Sequence, residues 1–273
     1  MRRTAEGCRQ TLSETRPLCQ KPDRKGGQPA KTTPALTRGL LTPCVLKSTI
    51  QSLKTRISDV LRVTEIFRSI QGESTHAGRP CTFVRLTGCP MRCVWCDSEY
   101  TFTGGEHMHL DDVMQQVRSM GCKLVEVTGG EPLAQKEAFE LIRRLCDEDF
   151  EVLVETGNYV STNGLDARAK VVLDIKCPGS GEEPRNDWSN LGRLRRDLDE
   201  VKFVVADEGD WLYAKRVIQE HELEMKTHAI LISPVWDKID LQQLANWIAG
   251  SGLNVRMQLQ LHKYIWGPDV QGV

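Results

Sequence analysis

The sequence predicts an α/β fold, namely an incomplete, open (β/α) barrel of about six parallel strands. Two observations predict it. Short runs rich in β-branched residues recur from about residue 58 onward, and between most of them the apolar residues repeat at helical spacing. This alternation is typical of βαβ units around a parallel sheet. The 216 residues from 58 to 273 hold about six such units, which is too few for a complete eight-stranded barrel.

The predicted strands follow one another along this region. They cover residues 62–67, 82–87, 123–128, 151–156, 171–176, 201–205, 229–233 and 255–261. Helices are predicted in four of the connections, beginning near Leu110, Phe139, Leu212 and Leu241. The run at 201–205 is almost continuously apolar, as expected for a strand that is covered on both faces.

Residues 1–57 differ in composition from the rest of the chain. They hold twelve basic residues against three acidic ones, are rich in Thr, Pro and Gly, and show no sustained hydrophobic period. Such a segment is expected to be disordered because it cannot bury enough apolar surface to fold. We therefore predict a basic, disordered leader over residues 1–57 and one domain over residues 58–273. A functionally silent extension is favoured for the leader. The alternatives are a nucleic-acid-binding arm, an organelle transit segment and sequence translated from upstream of the true start.

Composition excludes several classes of protein. The formal net charge is −1 over 273 residues, so no overall basic field indicates nucleic-acid binding. No apolar run approaches the roughly 18 residues of a membrane span. The ten cysteines come without a recognisable export signal, which favours reduced thiols or metal ligands over disulfides. We predict a cytoplasmic protein with no membrane or nucleic-acid partner.

Three cysteines follow the second predicted strand in the pattern Cys-x3-Cys-x2-Cys: Cys89, Cys93 and Cys96. Thiolates bind zinc, copper(I) or iron–sulfur centres. A structural zinc usually has four protein ligands, and no fourth is evident here. A [4Fe–4S] cluster held by three cysteines leaves one iron open to an exchangeable ligand, and we favour this interpretation. The alternatives are a zinc knuckle completed by His107 or His109, redox-active thiols, and cysteines that are simply buried apolar residues.

Two motifs resemble those of the radical S-adenosylmethionine (SAM) superfamily. The first is the cysteine motif, in which Trp95 precedes the third cysteine. The second is Thr128-Gly129-Gly130-Glu131-Pro132, which follows the next strand and resembles the GGEP motif that receives the amino group of SAM. The resemblance implies a radical SAM type of partial barrel with a [4Fe–4S] cluster and SAM as cofactors. The implied cofactor contacts are Trp95, Asp97, Gly130, Glu131, Glu155, Asp174 and Lys176.

The flanking segments resemble one family within this superfamily, the 7-carboxy-7-deazaguanine synthases, over about residues 61–267. The segments that carry the resemblance are 65–73, 83–89 and 260–267, together with Ser98 shortly after the third cysteine. The resemblance implies that Ser98 ligates Mg²⁺. It also implies substrate contacts from Ile70, Gln71, Gly72, Arg85, Thr128 and His262.

Several of these residues also have a purely structural interpretation. Arg85 could form a structural ion pair, and Ser98 could cap the segment after the cysteines. Asp174 and Lys176 could pair with each other, and His262 could be a packing residue.

The resemblance implies a reaction in which a radical derived from SAM removes hydrogen from 6-carboxy-5,6,7,8-tetrahydropterin. Ring contraction with loss of ammonia then gives 7-carboxy-7-deazaguanine. It further implies a one-electron donor such as flavodoxin or ferredoxin, and a homodimer. Two rival functions remain open: a glycyl-radical-enzyme activase or other radical SAM enzyme, and a zinc-bound nucleic-acid-binding module that uses the basic leader.

Overall fold

The computed structural model describes residues 59–273, and the predicted leader at 1–57 lies outside them. The described residues form one sheet of nine strands in the order β3-β1-β2-β4-β5-β6-β7-β8-β9. The strands are β1 Val60–Ile70, β2 Pro80–Leu86, β3 Glu106–His109, β4 Leu124–Gly129, β5 Glu151–Thr156, β6 Lys170–Ile175, β7 Glu200–Val205, β8 Ala229–Pro234 and β9 Arg256–Met257. Because β3 and β9 are two separate edges, the barrel is open, as predicted.

Six α-helices accompany the described strands. They are α1 Leu110–Met120, α2 Glu137–Asp147, α3 Glu208–Glu220, α4 Leu223–Lys226, α5 Leu241–Ala249 and α6 Leu261–Ile265. The Asp207 carboxylate accepts a hydrogen bond from the Asp210 backbone at the start of α3, and Asp240 does the same for Gln243 at the start of α5. The four predicted helices correspond to α1, α2, α3 and α5. None of the described helices is long and apolar enough to cross a membrane.

The seven strands β2, β4, β5, β6, β7, β8 and β9 pair in parallel. At the other edge, β1 pairs antiparallel with both β2 and β3. Two predictions are corrected here. The predicted strand 62–67 is part of an eleven-residue antiparallel strand, and the predicted strand 255–261 contains only the two residues of β9. The backbone of Gln258 still donates to Ile232 O at 2.9 Å, but the chain then turns away, and the backbone of Leu261 donates to Gly72 O at 3.1 Å. Residues 261–265 then form α6.

The two faces of the sheet have different character. One face packs against the helices in two apolar clusters, which include Val84 and Val127 on one half and Leu173 and Phe203 on the other. Successive side chains of a strand point to opposite faces. The residues between these core positions therefore point into the barrel, where a small apolar floor of Cys81, Phe83, Leu124 and Leu153 closes one end. Above this floor the interior is charged.

Candidate active site

Five neighbouring strands place charged side chains at the upper level of the barrel interior, near their carboxyl ends. We call this set the inner charged layer; from β2, β4, β5, β6 and β7 it comprises Arg85, Glu126, Glu155, Asp174 and Lys202. Arg85 lies opposite Thr128 in the ladder, and Asp174 lies opposite Lys202. Burying charge is unfavourable unless it is paired, and such groups concentrate at functional sites. The layer is therefore the first indication of where chemistry occurs.

Lys202 is the centre of this layer. Its ammonium donates to Glu73 Oε2 at 3.0 Å and to Glu155 Oε1, and it lies 4.0 Å from Asp174 Oδ2. Burial alone would lower the pKa of Lys202, but the carboxylates of Glu155 and Glu73 outweigh burial and raise it well above its usual value. Asp174 also accepts a hydrogen bond from Lys176 Nζ at 2.7 Å, so these two residues do form the ion pair that their structural interpretation expects. The second oxygen of Asp174 is enclosed and has no partner among the described residues.

Arg85 forms the ion pair that the structural interpretation expected. Its Nε donates to Glu65 Oε1 at 2.8 Å, and the Tyr100 hydroxyl donates to the same oxygen at 3.0 Å. The guanidinium also lies over the ring of Phe67, 5.7 Å from its centroid. Its two terminal NH2 groups donate to none of the described residues. The ion pair therefore orients Arg85 and leaves its two NH2 groups available to donate hydrogen bonds to an anion.

The segment 258–263, which we call the C-terminal clasp, lies against the Gln71-Gly72-Glu73 turn. A Cβ atom on Gly72 would lie 2.4 Å from His262 Nδ1, so only glycine allows this close approach. Burial lowers the pKa of His262, which keeps its imidazole neutral at pH 7. The structure thus brings the predicted substrate residues Gly72 and His262 into contact. Gln71 is buried beside them, and Ile70 ends β1 immediately before it.

The clasp also joins the turn after β1 to the segment after the cysteines. Gln258 and Gln260 donate to Glu73 at 3.1 and 2.9 Å. Lys263 Nζ donates to Asp97 Oδ2 at 2.7 Å, and Gln260 donates to the same oxygen at 3.3 Å. Burial raises the pKa of Asp97, but the Lys263 ammonium outweighs it and holds this pKa at about 2. Asp97 is therefore a charged anchor for the loop that carries the cysteines.

Residues 88–98 form that loop, which we call the thiol loop. Its three cysteines are free and half-buried. The loop is fixed from outside, because Val94 N donates to Ser180 O at 3.0 Å and Arg92 N donates to Glu182 Oε1 at 2.7 Å. The ring of Trp95 lies close to the turn at Gly179, where an added Cβ atom would come within 2.9 Å of it. The loop therefore stands at the carboxyl ends of the strands, next to the turn after β6.

Gly130 allows the thiol loop to approach the end of β4. A Cβ atom on Gly130 would lie 2.5 Å from Gly88 O and 2.7 Å from Cys89 Cβ. The two segments are joined by hydrogen bonds from Gly130 N to Leu86 O at 3.2 Å and from Glu131 N to Gly88 O at 2.9 Å. The two sequence motifs are thus in direct contact.

We expect Gly130→Ala to disturb the thiol loop, because the new methyl group meets backbone that cannot rotate away. SAM affinity should fall at least tenfold, measured by equilibrium binding to the iron-loaded protein. Gly192→Ala is the matched control, since no atom lies within 4 Å of a Cβ added there. Equal affinities for the two variants would contradict the expectation.

Glu131, the acidic residue of the second motif, joins two strand ends. Its carboxylate is fully buried and accepts from Leu133 N at 3.0 Å, Thr156 Oγ1 at 2.9 Å and Gly157 N at 2.8 Å. These bonds tie the end of β4 to the end of β5. The three donors hold the Glu131 carboxylate in place at these strand ends, and its contact with SAM stays a prediction. The half-exposed backbone of Gly130 is the accessible part of the motif.

The described residues offer no preformed site for a single metal ion. No three or more His, Cys, Asp or Glu side chains among residues 59–273 converge as ligands of one ion would. A single zinc holds its sulfur ligands at about 2.3 Å and so brings them into mutual contact. A [4Fe–4S] cluster binds each cysteine at a different iron and needs them further apart. His107 and His109, the proposed zinc ligands, are exposed on the edge strand β3.

The electrostatics near the thiols also fit a cluster. Burial raises the pKa of the Cys93 thiol to about 11, and the ammonium of Lys176 acts in the opposite direction. A metal centre displaces the proton of such a thiol, and a nearby cation stabilises the resulting thiolate. The predicted cofactor residue Lys176 is therefore placed where it acts on the thiols.

Ser98 does not act as a side-chain cap. It precedes a short 3₁₀ turn, Glu99–Thr101, but its hydroxyl makes no capping hydrogen bond. The hydroxyl lies 3.7 Å from Cys96 Sγ, and the backbone carbonyl of Ser98 accepts from Thr101 instead. An oxygen ligand for a hard cation is thus available beside the thiol loop.

Sequence reasoning missed Glu73, Glu126 and Lys202. Lys202 is the charged residue within the otherwise apolar strand predicted at 201–205. Glu126 lies within the strand predicted at 123–128. A charged residue inside a strand that is buried on both faces was the signal that could have identified both. Glu73 directly follows the Gln71-Gly72 segment but was not assigned a role.

Comparisons with known proteins identify the family. The model of the radical SAM superfamily matches residues 83–177. A 7-carboxy-7-deazaguanine synthase of Koribacter versatilis is 41% identical over 227 residues, covering 78% of this chain and 100% of the relative. One of Chlorobaculum tepidum is 44% identical over 215 residues, covering 78% and 97%.

The fold is also that of a solved structure. The crystal structure of QueE from Escherichia coli superimposes with a TM-score of 0.62 at 23% identity, covering 77% of this chain and 98% of that one. At 23% identity this likeness shows the fold alone, whereas the relatives at 41% and 44% identity show the family. This chain is an enzyme of the radical SAM superfamily and belongs to the family of 7-carboxy-7-deazaguanine synthases.

Proposed function

We propose that this chain converts 6-carboxy-5,6,7,8-tetrahydropterin into 7-carboxy-7-deazaguanine and ammonia, within queuosine and 7-deazapurine biosynthesis. The observation that carries the proposal is the inner charged layer next to the thiol loop, in a chain that is 41% identical to a relative named for this product. Substrate and product differ by ammonia alone, so the overall reaction needs no net oxidant or reductant. SAM is therefore used catalytically.

The cofactors would be held by residues from several strand ends. Cys89, Cys93 and Cys96 would hold a [4Fe–4S] cluster, and SAM would lie between the thiol loop and the ends of β4 to β6. When bound, the cluster and SAM supply an electron and a carbon-centred radical that removes hydrogen from the substrate. The SAM contacts we propose are Trp95, Asp97, the backbone of Gly130, Glu131, Glu155, Asp174 and Lys176.

The substrate would be held from two sides. The free NH2 groups of Arg85 bind its carboxylate, since a guanidinium binds a carboxylate through two parallel hydrogen bonds. Thr128 lies beside Arg85 on the neighbouring strand. On the other side, Gly72 and the neutral imidazole of His262 form a wall with the C-terminal clasp. This wall excludes water from the reacting face of the ring.

We propose that Ser98 contributes to a Mg²⁺ site that binds oxygen atoms of the substrate. Ser98→Ala should leave iron content unchanged and weaken the stimulation of turnover by Mg²⁺ about tenfold, because one oxygen ligand is lost. The check is a Mg²⁺ titration of product formation for wild type and variant. An identical Mg²⁺ response in the two proteins would remove Ser98 from the site.

We also propose a cytoplasmic location, a one-electron donor such as flavodoxin or ferredoxin, and a homodimer. Seven free cysteines among the described residues, together with an oxygen-sensitive cluster, require a reducing compartment. The donor is required because the cluster must be reduced before it can cleave SAM. The homodimer rests on the family resemblance.

Anaerobic reconstitution with iron and sulfide tests the proposal. We expect a brown protein with a broad absorption band near about 400 nm, and formation of 7-carboxy-7-deazaguanine detected by mass spectrometry. A colourless protein that holds zinc would support the binding-module alternative. A brown protein that cleaves SAM but gives only uncoupled deoxyadenosine with the tetrahydropterin would support an activase.

A further inference from the structure

Glu126 differs from every other carboxylate around the inner charged layer. Glu73 and Glu155 have the ammonium of Lys202, and Asp174 has that of Lys176. Glu126 is 4% exposed and has no cation within 4 Å among the described residues. A buried carboxylate without a cation is unfavourable. The presence of an unpaired carboxylate inside the site therefore suggests that it has a functional role.

Gln71 fixes the position of this carboxylate. Its Nε2 donates to Glu126 Oε2, and its Oε1 accepts from Glu73 N at 3.0 Å. Gln71 is itself 2% exposed, so both ends of its amide are committed to the protein. It therefore orients Glu126 and is not free to contact a ligand through its side chain.

The other oxygen of Glu126 remains available. Oε1 accepts no hydrogen bond from residues 59–273, and it is not one of the enclosed atoms that lack a partner, which are Thr82 Oγ1, Asp174 Oδ1 and Gln258 Oε1. It therefore still faces accessible space. Burial, with repulsion from Glu155 and Glu73, raises the pKa of Glu126 to about 8, while Arg85 acts in the opposite direction. A ligand that brings N–H donors would relieve this cost.

The position of Glu126 relative to Arg85 matches a two-ring heterocycle. Arg85 lies opposite Thr128, and Glu126 is two residues earlier on that strand. At about 3.3 Å per residue along a strand and about 4.8 Å between strands, their Cα atoms are ~8 Å apart. Glu126 is the deeper of the two, while Arg85 lies nearer the thiol loop.

We propose that Glu126 binds the donor edge of the substrate's pyrimidinone ring, its ring N–H together with the adjacent exocyclic NH2, and that Gln71 is its positioning residue. This inference rests on the function proposed above. A carboxylate matches two adjacent N–H donors as it matches the fork of an arginine. With the substrate carboxylate on Arg85, this orientation turns the carbon that bears it toward the thiol loop.

The test compares the tetrahydropterin with its analogue that has a carbonyl oxygen in place of the exocyclic NH2. For wild type, kcat/KM should be at least 100-fold higher with the tetrahydropterin than with the analogue, because the carbonyl oxygen of the analogue repels the Glu126 carboxylate. Glu126→Gln offers an NH2 group instead. It should raise KM for the tetrahydropterin about 100-fold and reduce the preference below tenfold, with kcat changed less than fivefold.

Controls separate this inference from the proposed function. Glu148→Gln is the matched substitution on the surface, where Glu148 pairs with Arg118 at 2.6 Å, and it should leave the preference unchanged. Circular dichroism and SAM binding verify that Glu126→Gln is folded. If wild type forms no deazapurine from the tetrahydropterin, the proposed function fails. If wild type turns it over yet distinguishes the two compounds less than threefold, or Glu126→Gln keeps the wild-type preference, Glu126 does not read this edge.

Discussion

Cys93→Ala is expected to abolish cluster assembly, SAM cleavage and product formation together. The thiol loop supplies three half-buried sulfurs, whereas the other four described cysteines, Cys81, Cys122, Cys146 and Cys177, are buried outside it. Two thiolates leave two irons of the cluster without protein ligands. Iron content and absorbance near about 400 nm after anaerobic reconstitution, with deoxyadenosine measured by chromatography, check the result.

Cys177→Ala is the matched control for this experiment. Cys177 immediately follows the cofactor residue Lys176, yet its thiol is 1% exposed within the apolar cluster beneath α3. Burial raises its pKa well above the usual value, which makes it an unreactive packing residue. The variant should keep its iron and lose about 1–2 kcal/mol of stability to a small cavity. A Cys93→Ala protein that retained full iron and SAM cleavage would remove the thiol loop from the cofactor site.

Lys202→Met is expected to cause the largest loss of stability among single substitutions in the interior. It leaves the buried carboxylates of Glu73 and Glu155 without their shared cation. Breaking a buried ion pair in this way costs about 3–5 kcal/mol. Product formation should also fall by at least about 100-fold, because both carboxylates lose their fixed positions. Urea unfolding at several pH values, together with steady-state kinetics, measures both effects.

The sign of the pH effect follows from the direction of each pKa. In wild type, Lys202 and Gln260 outweigh burial and lower the pKa of Glu73, so its stabilising effect is present at neutral pH and is lost on acidification. In the variant, burial without a cation raises the pKa of Glu73, and it raises further the pKa of Glu155, which burial already raises in wild type. Protonating the two carboxylates then stabilises the fold. The stability deficit should therefore shrink as the pH falls from 8 to 5.

Lys170→Met provides the comparison for this variant. Lys170 is also buried and pairs with Glu200 at 2.8 Å, but it lies at the opposite end of the strands from the thiol loop. It should lose similar stability while keeping kcat within about threefold of wild type. Equal losses of activity in the two variants would show that Lys202 acts through stability alone.

Most of the fold could be predicted from the sequence because the hydrophobic periodicity of a strand or helix is a local property. The parallel strands and four helices have alternating or helical patterns that propensity and burial both favour. The antiparallel pairing of β1 and the formation of β3 could not be predicted in this way, since they depend on contacts between distant segments. The loss of strand 255–261 has the same origin. Its glutamines bond to Glu73, some 185 residues earlier in the chain.

The candidate site was predictable where a motif specifies its chemistry. The three cysteines and the Gly-Gly-Glu-Pro turn have spacings that chemistry restricts, and the structure brings the two motifs together. The three protein donors to Glu131 could not be predicted, because they come from segments that meet this residue only in the folded chain. Lys202 and Glu126 become visible only once the strands are assembled and their charges are seen to share one interior.

The C-terminal clasp makes completion of the catalytic pocket a late event during synthesis. Glu73 acquires its last partners from Gln258 and Gln260, and Asp97 is paired by Lys263; these residues leave the ribosome some 160 residues or more after the carboxylates that they contact. A nascent chain can therefore form β1 to β7 and expose its thiol loop before one wall exists. The pocket can therefore retain a substrate only after translation has passed residue 263.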